Sequence, residues 1–215
     1  MPHFFIDLVS RTDEARRSFE SHPVILDAVA NGMALERYRA LLLELYHLVW
    51  HFNPTCAAAV SRMPDEHVGV RSFLYVHMQE EAGHEQWVLD DLEALGVDRK
   101  RTADHSPSSH ALALNGYNYW AADRRHPCSI LGMMYVLEVI ASVYGGPFAA
   151  AMKEKLLLQG ERGVSFINSH ASLDTAHMAE LRTVLNTLED DASRAAVLES
   201  THVNFHHVTQ VFAAV

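Results

Sequence analysis

The stretch 130-ILGMMYVLEVIASVYGGPFAAAM-152 holds a single charged residue, Glu138, in 23 positions. Its length alone is enough to span a bilayer, which takes about 20 apolar residues. Three features argue against that. Gly145-Gly146-Pro147 lies inside the run, aromatic residues do not mark both ends, and a charge near the middle is costly in lipid. The stretch reads as the buried core helix of a cytoplasmic protein. A helix apolar on every side needs other helices around it.

The flanking sequence supplies them, because helical spacing dominates and no run alternates as a strand would. His22-Pro23 opens a short helix that stops at Asn31-Gly32. A longer one runs from about Leu35 to Met63-Pro64, with a bend or break expected at Asn53-Pro54. The next is expected to run unbroken from Pro64-Asp65-Glu66 to Leu95-Gly96. A polar connector, Asp98 to Ser109, leads to a helix over about His110 to Asp123. His126-Pro127 introduces the apolar helix, which ends near Gln159-Gly160. Two more, about Val164 to Leu188 and Asp191 to Ala213, finish the chain. The expectation is one all-α domain over 1–215, a bundle of six or seven helices without an internal repeat or long linker.

The 215 residues carry 17 basic and 27 acidic side chains, a net charge of −10. Nucleic acid is therefore excluded as a partner, since phosphate binding needs clustered Lys and Arg. The N-terminal sequence has acids and no small-residue cleavage site after an apolar core, so no signal peptide is expected. Two cysteines, Cys56 and Cys128, make neither a disulfide framework nor a Cys-rich zinc site. Fifteen histidines are the unusual count.

Three groups of polar residues on helix faces that should be buried carry chemistry, because an unpaired buried charge is expensive. Glu138 is surrounded by apolar neighbours, with no Lys or Arg within two turns of its helix. It must be protonated, ion-paired or bound to metal. His170, Asp174 and His177 fall at i, i+4 and i+7, one stripe of a helix, and imidazole with carboxylate suits Zn, Fe or Mn. Glu81 and His84, at i and i+3, can share one metal as in di-iron carboxylate bundles. That spacing is weak evidence alone, since it recurs at Glu44/His47 and Glu199/His202. Two dinuclear schemes compete. A ferritin-like one uses Glu44, Glu81/His84, Glu138 and Glu199/His202, but it leaves the His-Asp-His stripe unexplained. The other uses Glu81, His84, Glu138, His170, Asp174 and His177, and it is preferred.

With that set the sequence resembles the haem-oxygenase-like di-iron oxidases and oxygenases, in the wider superfamily of thiaminase II and pyrroloquinoline-quinone synthase. The family motif is Glu-x-x-His, a lone Glu, then His-x3-Asp-x2-His, matched here by Glu81-x-x-His84, Glu138 and His170-x3-Asp174-x2-His177. Upstream, His22-Pro23, Asn31-Gly32 and Arg37-Tyr38 to Tyr46 resemble the opening of the superfamily. The resemblance implies a seven-helix haem-oxygenase-like fold whose core binds two Fe ions (Fe2+/Fe3+, with Mn or Zn as substitutes in a purified sample). It implies activation of O2 to oxidise an amino acid, amine or fatty acid, and a homodimer. Glu81, His84 and His170 would hold one iron and Glu138, Asp174 and His177 the other, with a bridging carboxylate.

Glu44, His47, Trp50, His51 and Tyr144 are assigned to the substrate pocket, which the apolar residues around Trp50, Phe52 and Phe148 make partly apolar. His77, one heptad before His84, is expected to support a ligand from behind. His206-His207, Glu199 and His202 are expected to face solvent or a neighbouring helix. Three alternatives stay open. A metal-free thiaminase II-like hydrolase would need a nucleophilic Cys, and Cys128 at a helix start is placed for a lowered pKa. A non-catalytic ligand-binding or regulatory protein of the same fold is another. A haem oxygenase with His47 or His51 as axial ligand is the third.

Overall fold

Capping side chains and prolines set the helix starts. Pro23 opens the third helix, while Asp98, Ser108 and Asp190 each accept a backbone N–H from the first turn of the helix they precede. The computed structural model describes residues 3–215, apart from the side chains of residues 172–175. The first six α-helical segments are α1 (Phe4–Arg11), α2 (Asp13–Glu20), α3 (Pro23–Asn31), α4 (Leu35–Arg62), α5 (Val68–Glu80) and α6 (His84–Ala94). The rest are α7 (Arg99–Asp104), α8 (Ser109–Trp120), α9 (Ile130–Ile140), α10 (Gly146–Leu156), α11 (Ser165–Leu185) and α12 (Asp191–Ala214). No strand occurs among the described residues.

The all-α expectation holds, and the helix number is larger than expected for identifiable reasons. α1 and α2 are eight residues each, too short to set a clear period, and they are anchored by buried Phe4, Leu8 and Phe19. The helix expected from Pro64 to Leu95 breaks at Gly83, whose φ of +94° is open to glycine and strained for other residues. Conversely, α4 runs through Pro54 without ending. Thr55 Oγ1 donates to the His51 carbonyl and Asn53 Nδ2 to the Met78 carbonyl, 2.7 and 2.9 Å.

Two apolar clusters fill the bundle. Leu131, Met134 and Val136 of α9 pack with Val197, Phe205 and Val208 of α12 in one. Tyr38, Leu41 and Leu42 of α4 pack with Leu92 of α6 and Met152 of α10 in the other. Full burial of one such side chain is worth roughly 2 kcal/mol. The run Pro127–Leu156 is the one described segment long and apolar enough to cross a membrane, and it is mostly buried inside the bundle. Gly132 lets α9 approach α12 closely: a Cβ there would stand 2.5 Å from the Val197 carbonyl oxygen. After Ile140 the helix widens into a π turn, Ala141–Gly145, which carries Tyr144 into the space between the two clusters.

Candidate metal centre

Glu81 caps the end of α5 and His84 begins α6, so the Glu-x-x-His motif straddles a joint rather than one turn of a continuous helix. His84 Nδ1 is 2.7 Å from Glu81 Oε2 and 3.2 Å from His170 Nε2. His170 Nδ1 lies 2.9 Å from the Phe166 carbonyl, one turn back on α11, and donates to it. That bond fixes the tautomer and turns Nε2 toward Glu81. Trp87 stacks on the His84 ring at 4.1 Å between centroids. Glu81, His84 and His170 thus offer three ligand atoms within 4.8 Å of one another.

A second trio adjoins the first. His177 Nδ1 is 3.4 Å from Glu138 Oε1, and His77 Nε2 is 3.7 Å from the same oxygen. Their ligand atoms also lie within 4.8 Å. Glu81 links the trios: Oε2 faces His84 and His170, while Oε1 lies 4.0 Å from His77 and 3.8 Å from His177. Its two oxygens point into different groups.

Electrostatics prepares these groups to bind a cation. Burial is the largest influence on Glu81 and opposes its charge, yet the hydrogen bonds and charges of His170 and His84 outweigh it and hold the carboxyl well below the usual range. Desolvation depresses His77 to about 4, so its imidazole is neutral at pH 7. Glu138 is 7 % exposed, and its Oε2 has no hydrogen-bond partner among the described residues. Such an atom costs free energy that a bound cation would offset.

α11 is held in place from α6. Asp91 Oδ1 accepts from Gly163 N, Ser165 N and Ser165 Oγ, and Oδ2 from Phe166 N, at 2.8 to 3.0 Å. This buried carboxylate caps the helix that carries His170 and His177.

The sequence profile of the iron-containing redox enzymes matches residues 39–203, which include every residue of both trios. The chain belongs to that family. No curated protein sequence matches it. Among solved structures it is similar to a domain of unknown function with a haem oxygenase-like fold from Shewanella denitrificans, with 22% identity and a TM-score of 0.83 over 95% of this chain and 88% of that one. A TenA homologue from Pseudomonas syringae pv. tomato gives 13% identity and 0.83 over 99% and 92%. Haem oxygenase-1 from Synechocystis, solved with haem, gives 15% and 0.77 over 99% and 91%. At these identities the likeness establishes the haem oxygenase-like fold.

Iron fits the donor set of this family member, since four imidazoles and two carboxylates offer the mixed N/O ligation iron takes. Of the six ligands expected from sequence, Glu81, His84, Glu138, His170 and His177 converge, and the side chain of Asp174 lies outside the described residues. His77, expected to support a ligand from behind, has its ligand atom within 4.8 Å of those of Glu138 and His177. Its signal was present: His77, Glu81 and His84 repeat the i, i+4, i+7 spacing of His170, Asp174 and His177.

A cavity of about 170 Å3 adjoins the centre, with His77, Glu81, Glu138 and His170 in its wall. Tyr144, Phe52 and Phe148 line it, and the Tyr144 hydroxyl donates to Glu20 of α2. Glu44, His47, Trp50 and His51 do not line it. Glu44 is buried because both oxygens accept from Ser108 at the start of α8. His47 pairs with His105 at 3.3 Å, His51 with the Tyr119 hydroxyl at 2.9 Å, and Trp50 is half exposed. All four sit on the face of α4 turned toward α8 and solvent. Glu199 and His202 are exposed, and Glu199 pairs with Arg125, so the ferritin-like scheme has no centre to build. Cys128, expected to be acidified at a helix start, is buried in a 3-10 turn, and desolvation pushes its thiol up to about 11.

Proposed function

We propose that this iron-containing redox enzyme is a non-haem di-iron oxygenase or oxidase that uses O2 to oxidise a small organic substrate. The observation that carries the reading is the Glu81 carboxylate, with one oxygen toward His84 and His170 and the other toward His77 and His177. Glu81, His84 and His170 would hold one iron; His77, Glu138 and His177 would hold the other, with Glu81 shared and Asp174 retained as an expected ligand. Bound iron supplies the electrons that reduce O2 and the oxidising power passed to substrate.

The chain's own residues bind, orient and exclude water. The Phe166 carbonyl holds a proton of His170 on Nδ1, so that Nε2 would present a lone pair to iron once it gives up the proton it shares with Glu81. Phe52, Leu137, Ile140, Phe166, Ile167 and Phe212 give the cavity an apolar wall. They keep water from the centre and receive an apolar part of the substrate.

Two observations weigh against the alternatives. Neither His47 nor His51, the two candidate axial ligands of a haem, reaches the cavity, which is lined by carboxylates and imidazoles of both trios. Neither Cys56 nor Cys128 lines it, which leaves a thiaminase-like reaction without a thiol nucleophile.

Anaerobic loading with Fe(II) followed by metal analysis tests the reading. The expected result is two irons per chain, near-complete loss in Glu81→Ala and partial loss in Glu138→Ala. Unchanged stoichiometry in both variants would overturn it.

A further inference from the structure

A third group of ligand-type side chains lies at another end of the bundle, well away from the cavity. His67 precedes α5, ten residues before His77, which is about 15 Å at 1.5 Å per residue. His126 lies between α8 and α9, and Asp190 lies between α11 and α12. Three separate connections therefore bring two imidazoles and a carboxylate together. One ligand atom from each falls within 4.8 Å of the others.

We infer that His67, His126 and Asp190 form a second, independent site for a divalent transition cation, for which Zn2+ is the probe. Each side chain is already oriented by a neighbour. Asp190 accepts from Ser193 N through Oδ1, as the cap of α12, and this leaves Oδ2 facing His67 Nε2 at 3.7 Å. Ser193 Oγ lies 3.0 Å from the same His67 Nε2, a hydrogen bond that a metal ion on this nitrogen would replace. The His126 ring packs against His67, 6.2 Å between centroids, and its Nδ1 accepts from Cys128 N at 3.2 Å. Burial holds His126 below its ordinary pKa, which favours the neutral, ligating form.

Imidazole and carboxylate together select Zn2+ over Mg2+ or Ca2+, which favour all-oxygen sets. Asp190 is 47 % exposed, so water can complete the coordination from the solvent side. The ion would tie the α4–α5, α8–α9 and α11–α12 connections to one another. Its role is to staple the bundle end, with no part in the iron chemistry.

The test titrates the iron-loaded protein with Zn2+ under argon and, after desalting, counts both metals. Expected is one Zn2+ retained per chain with iron unchanged, and loss of that zinc in both His126→Gln and Asp190→Asn. Asparagine still caps a helix, so Asp190→Asn should keep the fold, which circular dichroism checks. Zinc should also raise the melting temperature of the unmodified chain and leave that of both variants unmoved. Zinc that appears only as iron disappears, no retained zinc, or retention in both variants would each overturn the assignment.

Discussion

His77 Nε2 stands 3.7 Å from Glu138 and 4.0 Å from Glu81, so its removal should be felt as lost metal as well as lost packing. His77→Ala is expected to lower bound iron to about half, whereas His47→Ala, on the far face of α4, should leave it unchanged. Metal analysis of the two variants side by side checks this, and equal iron in both would remove His77 from the centre. Thiol chemistry gives a second residue-level expectation. Cys56 and Cys128 are fully buried, and burial raises both thiols, Cys128 to about 11. The folded chain should resist a thiol reagent at pH 8, and both cysteines should label once denaturant unfolds it. Fast labelling of either in the native state would show an access route absent here.

α9 carries Glu138, and its distance from α12 depends on Gly132. An alanine there would meet the Val197 carbonyl, the Ser200 Cβ and the Thr201 nitrogen at 2.5, 2.8 and 2.9 Å, two of them rigid backbone atoms. Gly132→Ala should therefore push the helices apart and cost about 1–3 kcal/mol, the usual range for overpacking. A fall in the denaturation midpoint together with weaker iron retention is expected. An undisturbed midpoint would mean that the two helices have room to part. Not every element was legible beforehand. A lone charge in an apolar run marks Glu138 without any structure, and spacing marks His170 and His177 on one stripe of α11. The Gly83 break was hidden because one glycine inside a helical pattern is tolerated, and its left-handed φ of +94° leaves no mark in the sequence. Likewise α1 and α2 are eight residues each, about two turns, too short for helical spacing to be read from them.

Across the whole molecule, desolvation holds His47, His51, His77, His126 and His207 below the ordinary histidine value of about 6.5, His77 down to about 4. The unfolded chain then binds protons that the folded chain refuses. The contribution of these rings to stability is fully present above about pH 6.5 and is lost as the pH falls, chiefly between 6.5 and 4. Urea midpoints of metal-free protein should drop from pH 7.5 to 6 to 5. A midpoint constant over that range would show these rings to be solvated. At this scale the fold class was readable from helical periodicity and the motif, since both survive errors in helix ends. The cavity lining was readable only in part. Spacing puts Glu44, His47 and His51 on one face of α4, but which neighbour covers that face is decided by tertiary packing, and Ser108, His105 and Tyr119 cover it.

Glu81 belongs wholly to neither α5 nor α6, and the same carboxylate faces both histidine groups. A cation taken up beside His84 would steady the elbow on which its neighbour beside Glu138 depends. Uptake of the pair should accordingly be cooperative, with half-loaded chains scarce at every stage of a titration.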